Sequence, residues 1–391
     1  STPYYAWHEI FTVILNSEDM FLLTPQEKSE QINKTLEELG ISDVSELAPL
    51  LNPVLGWDLP ENEKTEQMSS QVKAENLQVL LLRLLQASDF TMFTLENAQW
   101  LDSQSWSLTL AAAQTLKGSL FLLAYRPFET EPPLDFEKIS KLPTAKKITL
   151  KNLDPESIKA IATHRLGCKT LPADIAQQVV ERGGGEPLLS IELIDALRAS
   201  GRFEVSPQGD FIMNRKLVRS DSTVFPSNLR ALITSKVDRL PQSQQMILKV
   251  AAVIGRAFPF DLLKDIMPAF TPKADAQSIK ADLEQLDSLD FISLRSEKPL
   301  TYLFKQIMMQ EVIYAQMLYA QRRQVHEKVA EWYVNSKQDQ TPSYSLLAHH
   351  YKQAERWELA IVYLAKAGEH ALDSFANREA VNFLNEAIEL K

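Results

Sequence analysis

A carboxylate and an amide that follow an apolar run are the residues best placed to do chemistry. Residues 90–95 read FTMFTL, which is typical of a short β-strand, and Glu96 and Asn97 follow directly. In an α/β domain the C-terminal end of a strand faces the ligand crevice, where an acid can hold Mg²⁺. The pattern favours a Walker B strand with Glu96 as a Mg²⁺ ligand. The alternative is a buried strand that simply ends in a solvated acid.

An arginine ends the next apolar run. Residues 119–125 read SLFLLAY, and Arg126 and Pro127 follow them. Because a helical pattern separates the two runs, the segment predicts an α/β fold with a mainly parallel sheet. Arg126 would then lie at the C-terminal end of a neighbouring strand, where a cation can reach a γ-phosphate. A solvated arginine ahead of a loop explains the same residues.

The glycine-rich loop that cradles phosphates does not occur in this sequence. Such a loop reads Gly-x-x-x-x-Gly-Lys-Ser/Thr and joins a strand to a helix. Residues 167–170 (GCKT) follow a helical pattern and lack the upstream glycine, and residues 183–185 (GGG) lack the lysine and hydroxyl. The second segment continues as EPLLSIEL to Leu193. As structure alone it is a glycine C-cap followed by a proline helix start.

These segments, taken in order, resemble a known family. Residues 95–106 (LENAQWLDSQSW) resemble the Walker B segment of the signal-transduction NTPases with numerous domains (STAND), in the branch associated with adenylyl and guanylyl cyclases. Residues 125–127 (YRP) resemble the sensor triplet of that family. Residues 185–187 (GEP) resemble its Gly-x-Pro motif, in which the proline and the following helix contact the adenine.

The resemblance implies a nucleotide site with assigned residues. Glu96, Asn97 and Asp102 would occupy the catalytic positions, with Glu96 on Mg²⁺. The remaining nucleotide contacts would be Arg126, Gly185, Pro187 and Gln306. We expect the cofactor, ATP or ADP with Mg²⁺, only in a full-length protein whose phosphate loop lies upstream of Ser1.

Two residues depart from the family's pattern. Asn97 stands where the second acid is usually Asp, and Gln306 stands where a His often follows the wing. An amide cannot act as a general base. The departures therefore imply slow or absent turnover, with this chain by itself inactive and the full-length protein at most a weak ATPase.

The fold class that these patterns predict is multidomain, α/β plus all-α. We expect an incomplete P-loop NTPase-like parallel α/β core, a helical lid that carries the Gly-x-Pro motif, a winged helix, and the start of a tetratricopeptide solenoid. Their predicted ranges are, in order, 1–150, 151–222, 223–338 and 339–391.

Local patterns support that division. Several helices precede two predicted strands at 291–295 and 300–304, which is the order of a winged helix. Tyr, Leu and Ala residues between 344 and 367 stand at the positions of a tetratricopeptide repeat. A last strand of the α/β core is predicted at 147–150, and an irregular linker at 206–225.

Composition excludes several classes of function. The net charge of −10 opposes a phosphate-seeking surface, and the predicted groove-facing helix at 273–290 carries more acids than bases. We therefore do not expect nucleic acid as a partner. No apolar run approaches the roughly 20 residues of a membrane span. Because Cys168 is the single cysteine, a disulfide within the chain is impossible, and a reducing cytoplasm is the simplest compartment.

Two classes of function remain open, with a third in reserve. The first is a regulatory STAND-type segment of a larger signalling protein, a nucleotide-dependent switch that controls an effector domain in cis, such as an adenylyl or guanylyl cyclase. The second is a nucleotide-free scaffold that binds protein partners through its helical repeats. The third, the regulatory part of a transcription regulator, needs a DNA-binding domain outside this chain.

Overall fold

A computed structural model describes residues 3–17, 20, 23–128, 131–199, 203–213, 229–272, 274–297, 299–336, 344–373 and 376–391. The chain forms two compact units. Unit 1 combines Ser1–Lys147 with Ala330–Lys391, and unit 2 is Ile148–Val329. The division into four domains stays a prediction. No helix in the described ranges combines the length and the apolar character needed to cross a membrane.

Unit 1 begins with helices that surround one apolar core. They are α1 (His8–Ile14), α2 (Pro25–Glu38), α3 (Asn52–Leu55), α4 (Glu63–Glu66) and α5 (Ser70–Ala87), with a 3₁₀ segment at Ser42–Leu51. Thr24 and Glu27 form a capping box that starts α2, and the Ser69 hydroxyl caps α5. The buried leucines of α5 recur at helical spacing, at Leu77, Leu80, Leu81, Leu84 and Leu85.

A strand, a helix and a second strand follow. They are β1 (Met92–Glu96), α6 (Ser103–Thr115) and β2 (Leu120–Ala124), and α7 (Leu134–Ser140) comes next. The two strands pair in parallel, from Met92 opposite Leu120 to Glu96 opposite Ala124. In β1 Phe93 and Leu95 are buried while the alternate residues are exposed. The strand therefore anchors in the core and keeps Glu96 at its exposed end.

The parallel sheet is smaller than the sequence indicated. Within the described residues β1–β2 is the one parallel pair, and the other sheets are antiparallel. The strand predicted at 147–150 is wrong, because residues 145–154 are irregular and Ile148 and Leu150 are 82% and 90% exposed. Alternating apolar residues form a strand only where a neighbouring strand supplies hydrogen bonds.

Unit 1 is completed by the C-terminal helices. Helix α16 (Tyr319–Asn335) contains the boundary between the units, and α17 (Tyr344–Gln353), α18 (Trp357–Asp373) and α19 (Asn377–Glu389) follow. Each packs against the next, with Leu347 and Tyr351 of α17 buried together with Ala360 of α18. Three successive helices agree with the repeat pattern that the sequence predicted.

Unit 2 opens with three helices and a short hairpin. They are α8 (Pro155–Leu166), α9 (Ala173–Gly183), α10 (Pro187–Ala199), β3 (Phe203–Val205) and β4 (Phe211–Met213). The Asp154 side chain caps α8 by accepting a hydrogen bond from the Ser157 backbone N–H. The linker prediction for 206–225 is wrong where β4 forms, because Phe203 and Phe211 stack at 4.4 Å across the hairpin. The rest of that linker, from 214, lies outside the described residues.

The second half of unit 2 is helical with a small antiparallel sheet. It contains α11 (Leu229–Asp238), α12 (Gln242–Ile254), β5 (Ala257–Pro259), α13 (Phe260–Ile266), α14 (Ala276–Ser288), β6 (Ile292–Glu297), β7 (Leu300–Phe304) and α15 (Ile307–Gln316). The strand order is β5-β7-β6. The helices and the two strands predicted for a winged helix are present; Lys273 and Lys298 lie outside the described residues. The assignment as a winged helix stays a prediction.

Helix α14 offers a matched test of the core of unit 2. Leu286 is fully buried, whereas Leu289, just past the end of the helix, is 54% exposed. We expect Leu286→Ala to lower the free energy of unfolding by about 2–5 kcal/mol through lost burial and a residual cavity. Leu289→Ala should stay within about 0.5 kcal/mol of the parent. Urea unfolding of both variants measures the difference, and equal losses would contradict this packing.

Candidate functional site

The end of β1 presents one free carboxylate. Glu96 is exposed, and its carboxylate has no hydrogen bond or ion pair to another described residue. Asn97 next to it adopts a left-handed conformation, with φ 53° and ψ 41°. Asn is among the few residues that tolerate this conformation. The tight turn therefore gives Asn97 a backbone role that is independent of any catalytic one.

The end of β2 presents a cation at the same edge. In the parallel register Glu96 lies opposite Ala124, and Arg126 follows two residues later. The Arg126 backbone N–H donates to the Gln99 side-chain oxygen at 3.1 Å, so the turn after β1 holds the segment after β2. The Arg126 side chain is exposed and makes no ion pair within the described ranges. Sequence reasoning missed the role of Gln99, although this residue stands inside the Walker B-like segment.

An aromatic cluster fixes the backbone on both sides of Arg126. Phe136 of α7 contacts Tyr125, Phe128 and Trp106, with ring centroids 5.0, 4.9 and 5.5 Å away. Edge-to-face contacts of this kind add to the hydrophobic burial of the rings. The cluster explains why α7 forms in a segment rich in proline and acid.

Asp102 is a buried helix cap. Its carboxylate accepts hydrogen bonds from the Ser105 backbone N–H at 2.9 Å, the Ser105 hydroxyl at 2.6 Å and the Tyr4 backbone N–H at 3.1 Å. Burial, and secondarily the negative charge of Asp102, raise the pKa of Tyr4. These contacts account for Asp102 as a structural residue, and its catalytic role stays a prediction.

The three consecutive glycines each meet a steric requirement. A Cβ on Gly183 would lie 2.4 Å from the Ser190 hydroxyl. Gly184 has φ +57° in open space, whereas Gly185 combines φ +78° with a Cβ position only 2.6 Å from the Leu153 carbonyl oxygen. The Gly185 carbonyl also accepts from the Leu153 N–H at 2.7 Å. Packing at Gly183 and Gly185 and the left-handed backbone at Gly184 therefore explain the three glycines without a ligand. Nucleotide contact by Gly185 stays a prediction.

Pro187 begins α10, and that helix carries an acid that sequence reasoning missed. Glu192 is only 5% exposed. Its two carboxylate oxygens accept hydrogen bonds from the Lys236 ammonium at 2.6 Å and the Gln306 amide at 2.8 Å. The sequence feature that could have identified Glu192 is an acid within the apolar run LLSIELI. A carboxylate on a buried face requires hydrogen-bond or charge partners.

Gln306 therefore links the start of α15 to the helix that Pro187 begins. Its side-chain Nε2 donates to Glu192, and its Oε1 is buried without a hydrogen-bond partner among the described residues. Gln306 stands at the N-cap position of α15 but makes no side-chain cap bond. Gln306 and the helix of Pro187 are thus brought together in unit 2, while Glu96, Asn97, Asp102 and Arg126 belong to unit 1. The contact of Gln306 with nucleotide stays a prediction.

The end of β1 offers a metal ion one protein ligand, the Glu96 carboxylate. No group of three or more His, Cys, Asp or Glu side chains that could hold a metal occurs in the ranges that the structure describes. Mg²⁺ keeps several waters and is usually held by one or two carboxylates together with phosphate oxygens. An exposed Glu96 fits that arrangement, whereas a site built from protein ligands alone does not form here.

Comparison with known proteins gives distant relatives. No protein-family model matches the chain. It is 23% identical over 294 residues to adenylate cyclase type 10 of Rattus norvegicus and likewise of Mus musculus, and 22% identical over 295 residues to that of Oryctolagus cuniculus. These matches cover 66% of this chain and 18% of each cyclase. The chain thus corresponds to a minor part of the cyclases' length.

One solved structure is also similar. It is a signal transduction ATPase with numerous domains with a tetratricopeptide repeat sensor, from Pyrococcus horikoshii. The alignment has a TM-score of 0.43 and 14% identity, and it covers 94% of this chain and 51% of that chain. This score is too low to establish a shared fold.

Adjacent glycines allow a matched test of the turn before Pro187. Gly184→Ala should cost about 1–2 kcal/mol of unfolding free energy, because only the left-handed backbone is strained. Gly185→Ala should cost about 1–3 kcal/mol more, because its Cβ must also displace the Leu153 backbone. Urea unfolding of both variants gives the comparison. Equal costs would show that the close approach of Leu153 is absent in solution.

The buried Tyr4 predicts alkaline sensitivity of unit 1. The pKa of Tyr4 is raised in the folded state, so its neutral side chain contributes to the free energy of unfolding. This contribution is fully present below the ordinary tyrosine pKa of 10.0 and is lost as pH rises above that value. Unfolding midpoints at about pH 9 and about pH 11 should differ less in Tyr4→Phe than in the parent. Tyr5→Phe is the matched control, since Tyr5 is 73% exposed. An unchanged pH dependence in Tyr4→Phe would contradict the burial.

Proposed function

We propose that this chain is a regulatory segment of a STAND-type signalling NTPase, in which ATP or ADP with Mg²⁺ sets the state of an attached effector. The observation that carries the proposal is the parallel register of β1 and β2. It ends with Glu96 and Arg126 as two exposed charges at one sheet edge, neither paired with another described residue. The sequence identity to adenylate cyclase type 10 also supports the proposal.

The two charges have complementary chemistry toward a nucleotide. A carboxylate can coordinate Mg²⁺, which in turn would neutralise the phosphates. A guanidinium can donate two parallel hydrogen bonds to a phosphate, and it is always charged. Asn97 beside Glu96 cannot accept a proton from a water nucleophile. The residues thus support binding and orientation more than hydrolysis, so we propose slow or absent turnover.

A switch also requires an element that responds to the ligand. A ligand shifts a conformational equilibrium only by as much as it binds one state better than another. We propose that Arg126 supplies that difference by contacting the γ-phosphate, which ADP lacks. A contribution from Gly185, Pro187 and Gln306 rests on the family resemblance. The effector, such as a nucleotide cyclase, would be a further part of the same protein.

A nucleotide-free scaffold is the second candidate, and specific observations favour it. Packing, backbone conformation and helix capping explain the glycines at 183–185 and the Asp102 carboxylate. The helices α17–α19 stack in succession, as expected of a protein-binding repeat. On this alternative Glu96 and Arg126 are solvated surface charges, and protein partners would bind through the repeats.

Nucleotide titration separates the two candidates. Calorimetry should use the natural protein with any sequence that precedes Ser1. Arg126→Ala should weaken ATP binding about tenfold or more and leave ADP nearly unchanged, because a hydrogen bond to a charged group is lost. Glu96→Ala should weaken binding only when Mg²⁺ is present. Glu63→Ala, which removes an exposed acid from α4, is the matched control. Absence of nucleotide binding by the unmodified protein would favour the scaffold.

A further inference from the structure

A contact between the repeat and α6 in unit 1 is separate from the proposed nucleotide site. Ser103 is the first residue of α6, and Glu379 lies in the first turn of α19, 276 residues away. The Ser103 backbone N–H donates to one oxygen of the Glu379 carboxylate at 2.9 Å, and the Ser103 hydroxyl donates to the other at 2.8 Å. Both oxygens of the Glu379 carboxylate thus accept hydrogen bonds from Ser103.

The electrostatics favour this carboxylate in its position. The N-terminus of a helix carries partial positive charge and unsatisfied N–H groups, so it attracts an anion. Glu379 lies in the first turn of its own helix, and its carboxylate accepts the first N–H of α6. Both side chains are half-buried, which strengthens the hydrogen bonds relative to those in water.

The contact lies at one end of a larger interface. Phe383 and Glu386 follow Glu379 at i+4 and i+7, so the three share one face of α19. Phe383 and Glu386, together with Lys352 of α17 and Tyr5, line a cavity of about 650 Å³. The neighbouring Tyr4 donates its backbone N–H to Asp102, the cap of α6. The N-terminal segment and α19 therefore both converge on the first turn of α6.

We propose that the Ser103–Glu379 contact is a releasable latch through which the helical repeat restrains α6. Helix α6 begins seven residues after Glu96, and only the turn from 97 to 102 separates the two. A partner that displaces α19 would break both hydrogen bonds and free the start of α6. The latch does not depend on nucleotide binding, because none of its atoms belongs to the proposed nucleotide contacts.

A charge introduced at Ser103, and then compensated at Glu379, tests the latch without unfolding α6. In Ser103→Glu two carboxylates meet, so α19 should separate from α6, while α6 keeps a residue that favours its first turn. Adding Glu379→Lys to that variant restores attraction and should restore the contact. Glu358→Lys, at an exposed first-turn acid of α18, is the matched control.

The readout is the distance between α6 and α19 in the full chain. Spin labels at the exposed positions Gln114 and Asn385, in a Cys168→Ala background, report it by double electron–electron resonance. We expect one narrow distance in the parent and in Glu358→Lys. In Ser103→Glu the ratio of docked to separated molecules should fall about tenfold or more, and Glu379→Lys should reverse the fall. An unchanged distribution in Ser103→Glu, or no reversal in the double variant, overturns the latch.

Discussion

Parallel pairing of two short strands is the constraint on which the candidate site depends. Parallel strands end at the same edge of a sheet, so a five-residue register brings the segments after Glu96 and after Ala124 side by side. The core supports this register, because Phe93 is buried and stacks on Phe121 at 5.2 Å. Gln99 then joins the two segments by accepting from the Arg126 backbone. The free carboxylate and the free guanidinium follow from that geometry.

The other candidate residues have mainly structural explanations. Asn97 occupies a left-handed turn, Asp102 caps a helix, and Gly185 leaves space for the Leu153 backbone. A residue with a complete packing role can still contact a ligand, but its presence is no longer evidence for one. Our proposal of a nucleotide switch therefore depends on Glu96 and Arg126, and on the distant identity to cyclases.

Local patterns predicted most helices and strands, whereas the contacts at the candidate site were not predictable from them. The proline helix start at Pro187 and the two apolar runs that precede Glu96 and Arg126 gave correct elements. Residues 147–150 alternate without a neighbour to pair with, and three-residue strands such as β4 are too short for a periodic pattern. The hydrogen bonds of Gln99, Glu192 and Glu379 span 27, 114 and 276 residues. Such pairings depend on tertiary packing, which spacing does not encode.

The most direct test of the central claim is whether a metal-bound nucleotide comes close to both strand ends. Mn²⁺ can replace Mg²⁺ on oxygen ligands, and it broadens NMR signals of nearby nuclei. In the natural protein, with any sequence before Ser1, Mn²⁺–ATP should broaden the amide signals of Asn97 and Arg126 together, and Glu96→Ala should remove the effect. Broadening elsewhere in the chain, with both of these signals unchanged, would contradict the account.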